Sequence, residues 1–428
     1  MNDRPDIVIL NDYASTNGGS TAVAVTSALG LAAAGHRVIY FSGVGPVAPD
    51  LAAVPNVQVH CLGEEEIGRD PRRWRAFFSG LYNRNAARRL RQVLAGLDPA
   101  RTVVHAHTWT KALSPSVLAA ALDLGFPLAV TLHDFSIVCP NGGFFVYGRN
   151  EICRRRPLSA SCLACSCDRR NVGHKAWRSV RTYLQNRHLR IADRVAHYVA
   201  VSRFSADVLR PHLPARTAIT VVPPPVPCRD EGPAPIGQNR EFVFAGRLVP
   251  EKGVRLFATA ARAAGLPATF VGDGELRTEL EALNRAARFT GWLGPEGIRR
   301  ELRRARALVF PSLWYETLGL VAIEAAAAGV PVIVSDRCAA ADVVRDGATG
   351  LHFAHGSVGA LAAAMRRLAA DDPLAARLGH AAYRWHWDNP WTVERHVAGL
   401  QAVYQRIGRA ARNPEESEHE CAAGLGAG

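Results

Sequence analysis

The stretch that decides the fold spans residues 310–324 and reads Phe-Pro-Ser-Leu-Trp-Tyr-Glu-Thr-Leu-Gly-Leu-Val-Ala-Ile-Glu. The apolar segment from Ala305 to Phe310, which leads into it, predicts a short buried strand. The small-residue run that continues to Ala328 predicts a packed helix, which Gly329 and Pro331 would end. A strand, a loop and a helix in this order indicate a parallel α/β domain.

Two carboxylates, Glu316 and Glu324, stand eight positions apart in this stretch. Eight helical residues rise about 12 Å and return the two positions to similar faces of a helix. An acid/base pair across one glycosidic bond is only about 5–9.5 Å apart, so this spacing suits the two ends of an elongated ligand. Between them, the amides of Leu318, Gly319 and Leu320 would lie at a helix N-terminus, where anions bind. The pattern matches the hydroxyls, diphosphate and ribose of a nucleotide-sugar; a pair of solvated surface acids is the alternative.

A second motif, at residues 241–253, reads Glu-Phe-Val-Phe-Ala-Gly-Arg-Leu-Val-Pro-Glu-Lys-Gly. It predicts a strand, followed by a loop that carries Arg247 and Lys252 to a helix beginning near Val254. Two cations and a helix N-terminus at one strand end are typical of a diphosphate site, although two ordinary surface cations would give the same sequence. The chain has no Asp-x-Asp signature of a metal-bound donor.

The two motifs, Glu-x7-Glu and Gly-Arg-x4-Lys-Gly, resemble those of retaining glycosyltransferases of the two-Rossmann-domain (GT-B) type, in the family 4 (group 1) set. The resemblance extends over most of the chain. It implies that Arg247 and Lys252 stabilise the departing nucleotide diphosphate in place of a divalent metal, so that the chemistry requires no cofactor. It also implies that Glu316 holds the hydroxyls of the donor sugar and Glu324 those of the ribose.

The start of the chain predicts another α/β unit, in which a strand at residues 6–10 is followed by a loop, a helix from Thr21 to Ala34, and a second strand. The loop ends in Asn-Gly-Gly-Ser at residues 17–20, and its glycines would let the backbone approach a ligand. A two-glycine turn alone is more often plain turn chemistry. The resemblance implies that this loop lies beside the donor phosphates, which makes Gly19 a candidate donor contact.

A predicted strand from Leu128 to Leu132 ends in Thr-Leu-His-Asp, which puts His133 and Asp134 where α/β folds present ligand-contacting side chains. A lone histidine is usually structural. The resemblance implies that His133 faces the donor sugar and its transition state. Asp134 is the second candidate here, as a carboxylate that would support the acceptor hydroxyl.

A cysteine-rich insertion follows at about residues 139–167. Cys162 and Cys165 have the two-residue gap of a metal knuckle, and Cys139 and Cys153 would complete four thiolates for a structural zinc ion. A reducing cytoplasm favours zinc over disulfides. Free thiols are the alternative, because the insertion has only one true Cys-x-x-Cys pair.

The length of 428 residues predicts two domains, because one ordinary core does not reach this size. Proline is dense after residue 210 and predicts a semi-rigid linker. The predicted organisation is an acceptor-side Rossmann-like domain at 1–222, a proline-rich linker at 223–240, a donor-side Rossmann-like domain at 241–384, helices at 385–411 that cross back to the first domain, and a disordered tail at 412–428.

The net charge of +13 and the basic, aromatic stretch at residues 71–94 are compatible with a partner that is anionic. A basic amphipathic helix with aromatic residues is typical of membrane-surface association, and a solvated helix packing its aromatic face on the domain is the alternative. The sequence shows neither a secretory signal nor an apolar run long enough to span a bilayer. It therefore predicts a cytoplasmic protein, docked reversibly at the inner face of a membrane.

These features together predict a retaining glycosyltransferase that moves a sugar from a nucleotide-diphosphate sugar to a glycan or lipid-linked acceptor, as in cell-surface polysaccharide biosynthesis. Two other classes remain open. One is a different enzyme on the same fold, either a nucleotide-sugar epimerase or a phosphorylase. The other is a non-catalytic binding protein that uses the positive charge. No nucleic-acid motif is visible, so nucleic acid is not an expected partner.

Overall fold

Two parallel β-sheets, each flanked by helices, form the structure, a computed structural model that describes residues 4–412. The strands of the first half of the chain are β1 (Asp6–Tyr13), β2 (Val38–Val44), β3 (Val57–Cys61), β4 (Thr102–Ala106), β5 (Leu128–Leu132), β6 (Phe145–Val146), β7 (Glu151–Ile152), β8 (His197–Ala200) and β9 (Ile219–Val221). Seven of them form a parallel sheet in the order β3-β2-β1-β4-β5-β8-β9. The other two, β6 and β7, pair as a small antiparallel hairpin inside the cysteine-rich insertion.

The helices of this half are α1 (Gly19–Ala33), α2 (Pro49–Ala53), α3 (Arg73–Leu81), α4 (Arg84–Leu94), α5 (Ser116–Asp123), α6 (Ala160–Leu163), α7 (Val172–Tyr183), α8 (Ile191–Arg194) and α9 (Arg203–Leu209). The basic stretch at residues 71–94 is thus two helices. The break lies at Asn83, whose side chain accepts a hydrogen bond from the backbone N–H of Ala86 and so caps α4.

A six-stranded parallel sheet organises the second half, in the order β12-β11-β10-β13-β14-β15. Its strands are β10 (Glu241–Ala245), β11 (Ala268–Val271), β12 (Arg288–Gly291), β13 (Ala305–Phe310), β14 (Val332–Ser335) and β15 (Gly350–Phe353). The helices are α10 (Val254–Ala264), α11 (Arg277–Leu283), α12 (Pro295–Arg303), α13 (Leu320–Ala327), α14 (Ala340–Val343), α15 (Val358–Ala370), α16 (Asp372–Asp388) and α17 (Val393–Arg412).

Both faces of each sheet are buried, which explains why the strands read as unbroken apolar runs. In β1, Val8 and Leu10 belong to the core on one face, whereas Ile7 and Ile9 belong to the core on the other face. This division follows from the two-residue side-chain period of a strand. The parallel strands also bring their carboxyl ends to one edge of each sheet, and this edge carries the candidate site.

The last two helices pack on different domains. Helix α16 packs against α13 of the second domain, whereas α17 packs against α1 of the first. Val397 and Leu400 of α17 belong to the core of the first sheet, and a Cβ on Gly30 of α1 would meet Val397 at 2.6 Å. The tail predicted at 412–428 lies outside the described residues from 413 onward. Within residues 4–412, no helix combines the length and the apolarity needed to cross a bilayer.

One expectation about the deciding stretch was wrong. Helix α13 begins at Leu320, which agrees with the helix N-terminus predicted at Leu318 to Leu320. Glu316 therefore lies on the loop before it, and the spacing of eight helical residues between the two carboxylates does not hold. Tertiary contacts hold the loop: Leu313 donates its backbone N–H to the carbonyl of Glu251, and Ala339 donates to the carbonyl of Glu316. These long-range hydrogen bonds hold the loop in place before the helix begins.

Candidate active site

A cavity of about 370 Å³ lies between the two sheets and is lined by residues of both domains. Its wall includes nine of the residues predicted from sequence: Gly19, His133, Asp134, Arg247, Lys252, Glu316, Leu318, Gly319 and Leu320. They come from four separate segments of the chain. The fold therefore brings the predicted donor and acceptor residues to one place.

The centre of the cavity wall is an ion pair between Lys252 and Glu316. The Nζ atom of Lys252 lies 2.6 and 2.7 Å from the two carboxylate oxygens of Glu316, and both side chains are more than four-fifths buried. Ser312 Oγ and Trp314 Nε1 also donate to Glu316, at 3.0 and 3.1 Å. Hydrogen bonds with an ionised partner are the stronger class, so this carboxylate is held firmly in one orientation.

The position of Lys252 depends on Gly253, which follows it. Gly253 has a φ of +70°, and a Cβ there would collide with the backbone carbonyl of Pro311. Only glycine combines this left-handed conformation with so close an approach of another backbone. The glycine thus lets the loop after β10 and the loop after β13 touch, which is what brings Lys252 to Glu316.

Arg247 is held more loosely than Lys252. Its guanidinium lies 3.9 Å from the carboxylate of Glu251, and its side chain is 53% exposed although it lines the cavity. A weak ion pair at such exposure constrains a side chain little. Arg247 is therefore a cation that can turn toward an anionic ligand.

Two helix N-termini meet at the cavity. Helix α1 begins at Gly19 and α13 begins at Leu320, and a Cβ on Gly19 would lie 3.4 Å from Leu320 Cδ1. Both helix ends present backbone N–H groups and the positive end of a helix dipole. With Arg247 and Lys252, they make this cavity suitable for an anion.

His133 is a neutral group in this wall. Burial lowers the pKa of His133 to about 3, so the imidazole carries no charge near neutral pH. Its Nε2 lies 3.0 Å from Nδ1 of His107, and its backbone carbonyl accepts a hydrogen bond from Thr317 Oγ1 at 2.9 Å. The last bond crosses between the domains and ties His133 to the loop that carries Glu316.

Asp134, next to His133, is exposed at the cavity wall. One of its carboxylate oxygens accepts hydrogen bonds from the backbone N–H and the hydroxyl of Ser136. This turn fixes the carboxylate relative to the end of β5.

Glu324 is the predicted donor residue that does not line the cavity. It lies on α13, and its burial raises the pKa of its carboxyl. Its negative charge in turn contributes to the raised pKa of Cys228 in the linker, although burial is the larger cause there. The side-chain carboxylate of Glu324 has no hydrogen-bond or ion-pair partner among residues 4–412.

The cysteine-rich insertion does not form the predicted zinc site. Among residues 4–412, no group of three or more His, Cys, Asp or Glu side chains is arranged to hold a metal ion. Cations stand beside two of the four predicted ligands: Lys175 Nζ donates to Cys162 Sγ at 3.6 Å, and the Arg155 guanidinium to Cys153 Sγ at 3.8 Å. Cys139, Cys153, Cys162 and Cys165 are free thiols, and all but Cys165 are buried.

Sequence reasoning missed several residues of the site. Thr317 and Ser202 form an interdomain connection, since Thr317 donates to His133 and Ser202 Oγ donates to the carbonyl of Thr317 at 2.6 Å. Trp314 was inside the deciding stretch, but a sequence does not reveal that its indole N–H points at Glu316. His107 follows strand β4 as His133 follows β5, and this shared strand-end position was the one signal that could have indicated it.

The sequence models of two families match, Glycosyltransferase Family 4 over residues 17–230 and Glycosyl transferases group 1 over residues 231–385. An alpha-maltose-1-phosphate synthase from Mycobacterium tuberculosis is 30% identical over an alignment of 361 positions, and the match covers 76% of this chain and 84% of that protein.

Two further similarities are informative. The glycogen synthase of Mycobacterium tuberculosis is 35% identical over 186 residues, so the match covers 41% of this chain and less than half (44%) of that relative. The crystal structure of the Anabaena protein HepE in complex with UDP-glucose superposes with a TM-score of 0.63 at 16% identity, covering 94% of this chain and 100% of the other. At this low sequence identity, the structural similarity establishes the fold alone, and that fold is GT-B. Because the family 4 model spans half of the chain and the maltose-phosphate relative matches over most of both lengths, this chain belongs to the family 4, group 1 glycosyltransferases.

Proposed function

We propose that the protein is a retaining glycosyltransferase that transfers a sugar from a nucleotide-diphosphate sugar to a saccharide acceptor. The observation that carries this proposal is the cationic cavity between the domains, in which Lys252, Arg247 and two helix N-termini surround the Glu316 carboxylate. A nucleotide-sugar has the complementary groups, namely a diphosphate for the cations and hydroxyls for the carboxylate. The UDP-glucose bound by the structural neighbour HepE supports this choice of donor.

In the proposed mechanism, Arg247 and Lys252 neutralise the charge that develops on the diphosphate as the glycosidic bond breaks. Glu316 holds hydroxyls of the sugar, and Glu324 holds the ribose, to which its unpartnered and partly desolvated carboxyl is suited. No divalent metal is needed for these roles. His133 contacts the sugar from the other domain, and Asp134 supports the acceptor hydroxyl.

Retention of configuration is proposed to occur by attack on the same face that the diphosphate leaves. Glu316 is engaged by Lys252, Ser312 and Trp314, which suits a binding carboxylate better than a free nucleophile. The leaving phosphate would then accept the proton of the acceptor hydroxyl. Closure of the two domains over the cavity would exclude water from the reaction.

We propose the division of labour in which residues 1–222 bind the acceptor and residues 241–384 bind the donor, with 223–240 as the linker. The acceptor is a glycan or a lipid-linked saccharide of a cell-surface pathway. Two relatives are named for the synthesis of glycogen and of maltose 1-phosphate, so neutral glucans and sugar phosphates belong in the same acceptor assay.

Docking of a cytoplasmic protein on an anionic membrane is supported by the exposed apolar side chains of α3 and α7, two helices that contact each other. Trp74 of α3 is 78% exposed, and Phe78 and Tyr183 are also exposed. Trp177 of α7 joins the helices by donating its indole N–H to the carbonyl of Phe77. Co-sedimentation with phosphatidylglycerol vesicles should be lost on Trp74→Ser with Phe78→Ser and kept with Leu124→Ser, at an exposed apolar residue in the turn after α5.

The experiment that tests the donor site is thermal unfolding with UDP, GDP and ADP in turn, in the presence of EDTA. At about 100-fold above its dissociation constant, the matching nucleotide should stabilise the protein by about 2.7 kcal/mol. Arg247→Ala should lose this stabilisation, whereas Arg366→Ala, at an exposed position on α15, should keep it. Stabilisation that is equal in both variants would contradict the proposed site.

The alternative enzyme classes are separated by a product assay. A transferase consumes the nucleotide-sugar only with a saccharide acceptor and gives the same anomeric configuration in donor and product. Conversion of the donor without an acceptor would instead identify an epimerase, and dependence on inorganic phosphate a phosphorylase. A basic binding protein without activity would be indifferent to Glu316→Ala.

A further inference from the structure

His107 is a buried group whose place beside His133 has no role in the mechanism above. It follows β4 directly, is 2% exposed, and its Nδ1 lies 3.0 Å from His133 Nε2. Its other ring nitrogen, Nε2, is buried and has no hydrogen-bond partner among the described residues. One proton must therefore be shared between Nδ1 of His107 and Nε2 of His133, and its location decides the tautomer of both rings.

Both rings are neutral, because burial is the main cause that lowers the pKa of each. A neutral imidazole has one N–H and one acceptor nitrogen. If His133 donated to His107, then His107 would need its own N–H on Nε2, where no protein acceptor meets it. If His107 donates to His133, its Nε2 carries only a lone pair.

Neighbouring groups do not change this choice. His105 is the adjacent ring, with a centroid 4.5 Å from that of His107, but both of its nitrogens are already engaged. Its Nδ1 pairs with the Tyr404 hydroxyl and its Nε2 with the Thr131 hydroxyl, each at 2.7 Å. Buried N–H groups without a partner are rarer in folded proteins than under-used acceptors, so the arrangement in which His107 donates is favoured.

We propose that His107 is a positioning residue that donates its Nδ1–H to His133 Nε2 and so fixes His133 as the Nδ1–H tautomer. Nδ1 of His133 has no protein partner within residues 4–412, and His133 lines the cavity. The nitrogen left for a ligand is then an N–H donor. It can donate a hydrogen bond to a sugar oxygen, but it cannot accept a proton from the acceptor hydroxyl.

This assignment rests on the proposed function only for the identity of the ligand. If the cavity holds a nucleotide-sugar, His133 is a hydrogen-bond donor to the sugar and not a general base. The tautomer itself is a property of the free protein, so it can be measured without any substrate.

The test is long-range ¹H–¹⁵N correlation spectroscopy of the protein labelled in its histidine rings, since the two neutral tautomers give different spectra. The His133 and His107 signals are assigned by their loss in His133→Gln and His107→Phe. We expect wild-type His133 to carry its proton on Nδ1, and His107→Phe to release it to a mixture of tautomers. A wild-type His133 protonated on Nε2, or a His133 spectrum that His107→Phe leaves unchanged, would overturn the proposal.

A rescue variant separates positioning from stability. The side-chain amide of asparagine puts an N–H near the place of histidine Nδ1, so His107→Asn should restore the Nδ1–H tautomer of His133. His107→Phe should lower kcat of donor turnover about tenfold, roughly the worth of one hydrogen bond, and leave nucleotide affinity unchanged. The control is His197→Phe, because His197 is equally buried but pairs with Thr220, and it should keep both the tautomer and kcat.

Nucleotide binding and the His133 tautomer are measured separately, so the failure of this proposal can be distinguished from the failure of the proposed function. Absence of any nucleotide binding by the wild type would contradict the donor site while leaving the tautomer measurement valid. If nucleotide binding were normal but His107→Asn lowered kcat as much as His107→Phe, only the role of His107 would be contradicted, and the proposed donor site would stand.

Discussion

The loop at residues 311–319 and the cysteine-rich insertion at 139–167 are both dense in residues that bind ligands, but they are organised differently. In the loop, the Glu316 carboxylate forms an ion pair with Lys252, which lies after another strand, and it accepts hydrogen bonds from Ser312 and Trp314. In the insertion, Arg155 and Lys175 donate to the sulfurs of Cys153 and Cys162, and within residues 4–412 no group of three or more potential ligands is arranged to hold a metal ion.

The difference shows what a parallel sheet contributes to a site. The loop follows β13 and Lys252 follows β10, and these strands are neighbours in the sheet, so two distant segments are brought together at one edge. The insertion has only the short β6–β7 hairpin and the one-turn helix α6 to arrange its side chains. Residue type and spacing were similar signals in both regions. The sheet directs Lys252 at Glu316, whereas in the insertion Cys153, Cys165 and Cys167 pack together as a small apolar cluster.

The largest effect should come from breaking the ion pair in the loop. Lys252→Ala removes the cation that is proposed to stabilise the departing diphosphate, and it leaves the buried Glu316 without its counter-ion. We expect kcat to fall by about 10²–10³, the range found when one preorganised charge-stabilising group is removed. The effect is measured by steady-state kinetics with a sugar donor of the nucleotide that stabilises the protein in the thermal unfolding experiment.

The matched control is Lys111→Ala, since Lys111 is a lysine outside the cavity that lies over the Tyr13 ring. It should keep wild-type kcat. If the two variants were equally active, the ion pair would have no part in the reaction, and the contrast between the two regions would lose its functional meaning.

A smaller effect should follow from separating the two loops at Gly253. Gly253→Ala puts a Cβ against the carbonyl of Pro311 at a φ of +70°, so we expect about 1–3 kcal/mol of destabilisation from backbone strain, an added steric cost, and lost nucleotide binding. Urea unfolding and calorimetric titration measure the two losses.

Gly265 offers a control at nearly the same backbone conformation. Its φ is +65°, and a Cβ there meets nothing within 4 Å. Gly265→Ala should therefore show the strain alone and bind nucleotide normally. Loss of binding in both variants would mean that general destabilisation, and not the contact between the loops, is responsible.

A still smaller effect is expected at the interdomain hydrogen bond of Thr317. Thr317→Val keeps the shape of the side chain and removes the hydroxyl that donates to His133 O. The unfolding free energy should fall by about 0.5–1.5 kcal/mol. The loss should be absent with Thr278→Val, at an exposed position on α11 where the hydroxyl has no hydrogen bond to any of residues 4–412. A Thr317→Val protein as stable as the wild type would show that the loop does not depend on this contact.

The smallest effect is expected in the cysteine-rich insertion. Elemental analysis of freshly purified protein should find far less than one zinc per chain, and Cys165→Ser should keep wild-type stability, because this thiol is only partly buried. One zinc per chain, lost on Cys165→Ser but kept on Cys61→Ser, would restore the predicted metal site and remove the contrast between the two regions.

The fold class was legible in the sequence because its signals are local. Strands such as β5 and β13 are buried on both faces, so each reads as a short apolar run that needs no knowledge of its neighbours. The positions of Arg247, Lys252 and Glu316 were legible for a related reason, since each lies in the loop that follows such a strand. In a parallel sheet, that position is enough to predict that the residues meet at one edge.

Other features of the site depend on contacts between distant segments. That Glu324 lies outside the cavity wall and that Thr317 bonds to His133 are decided by packing between segments that are distant in the sequence. The pairing of His107 with His133 is of the same kind, because it depends on the direction of two side chains at neighbouring strand ends. Spacing along a chain predicts which residues approach a site, whereas only the tertiary structure determines which atoms face each other, since side-chain direction is set by the packing around it.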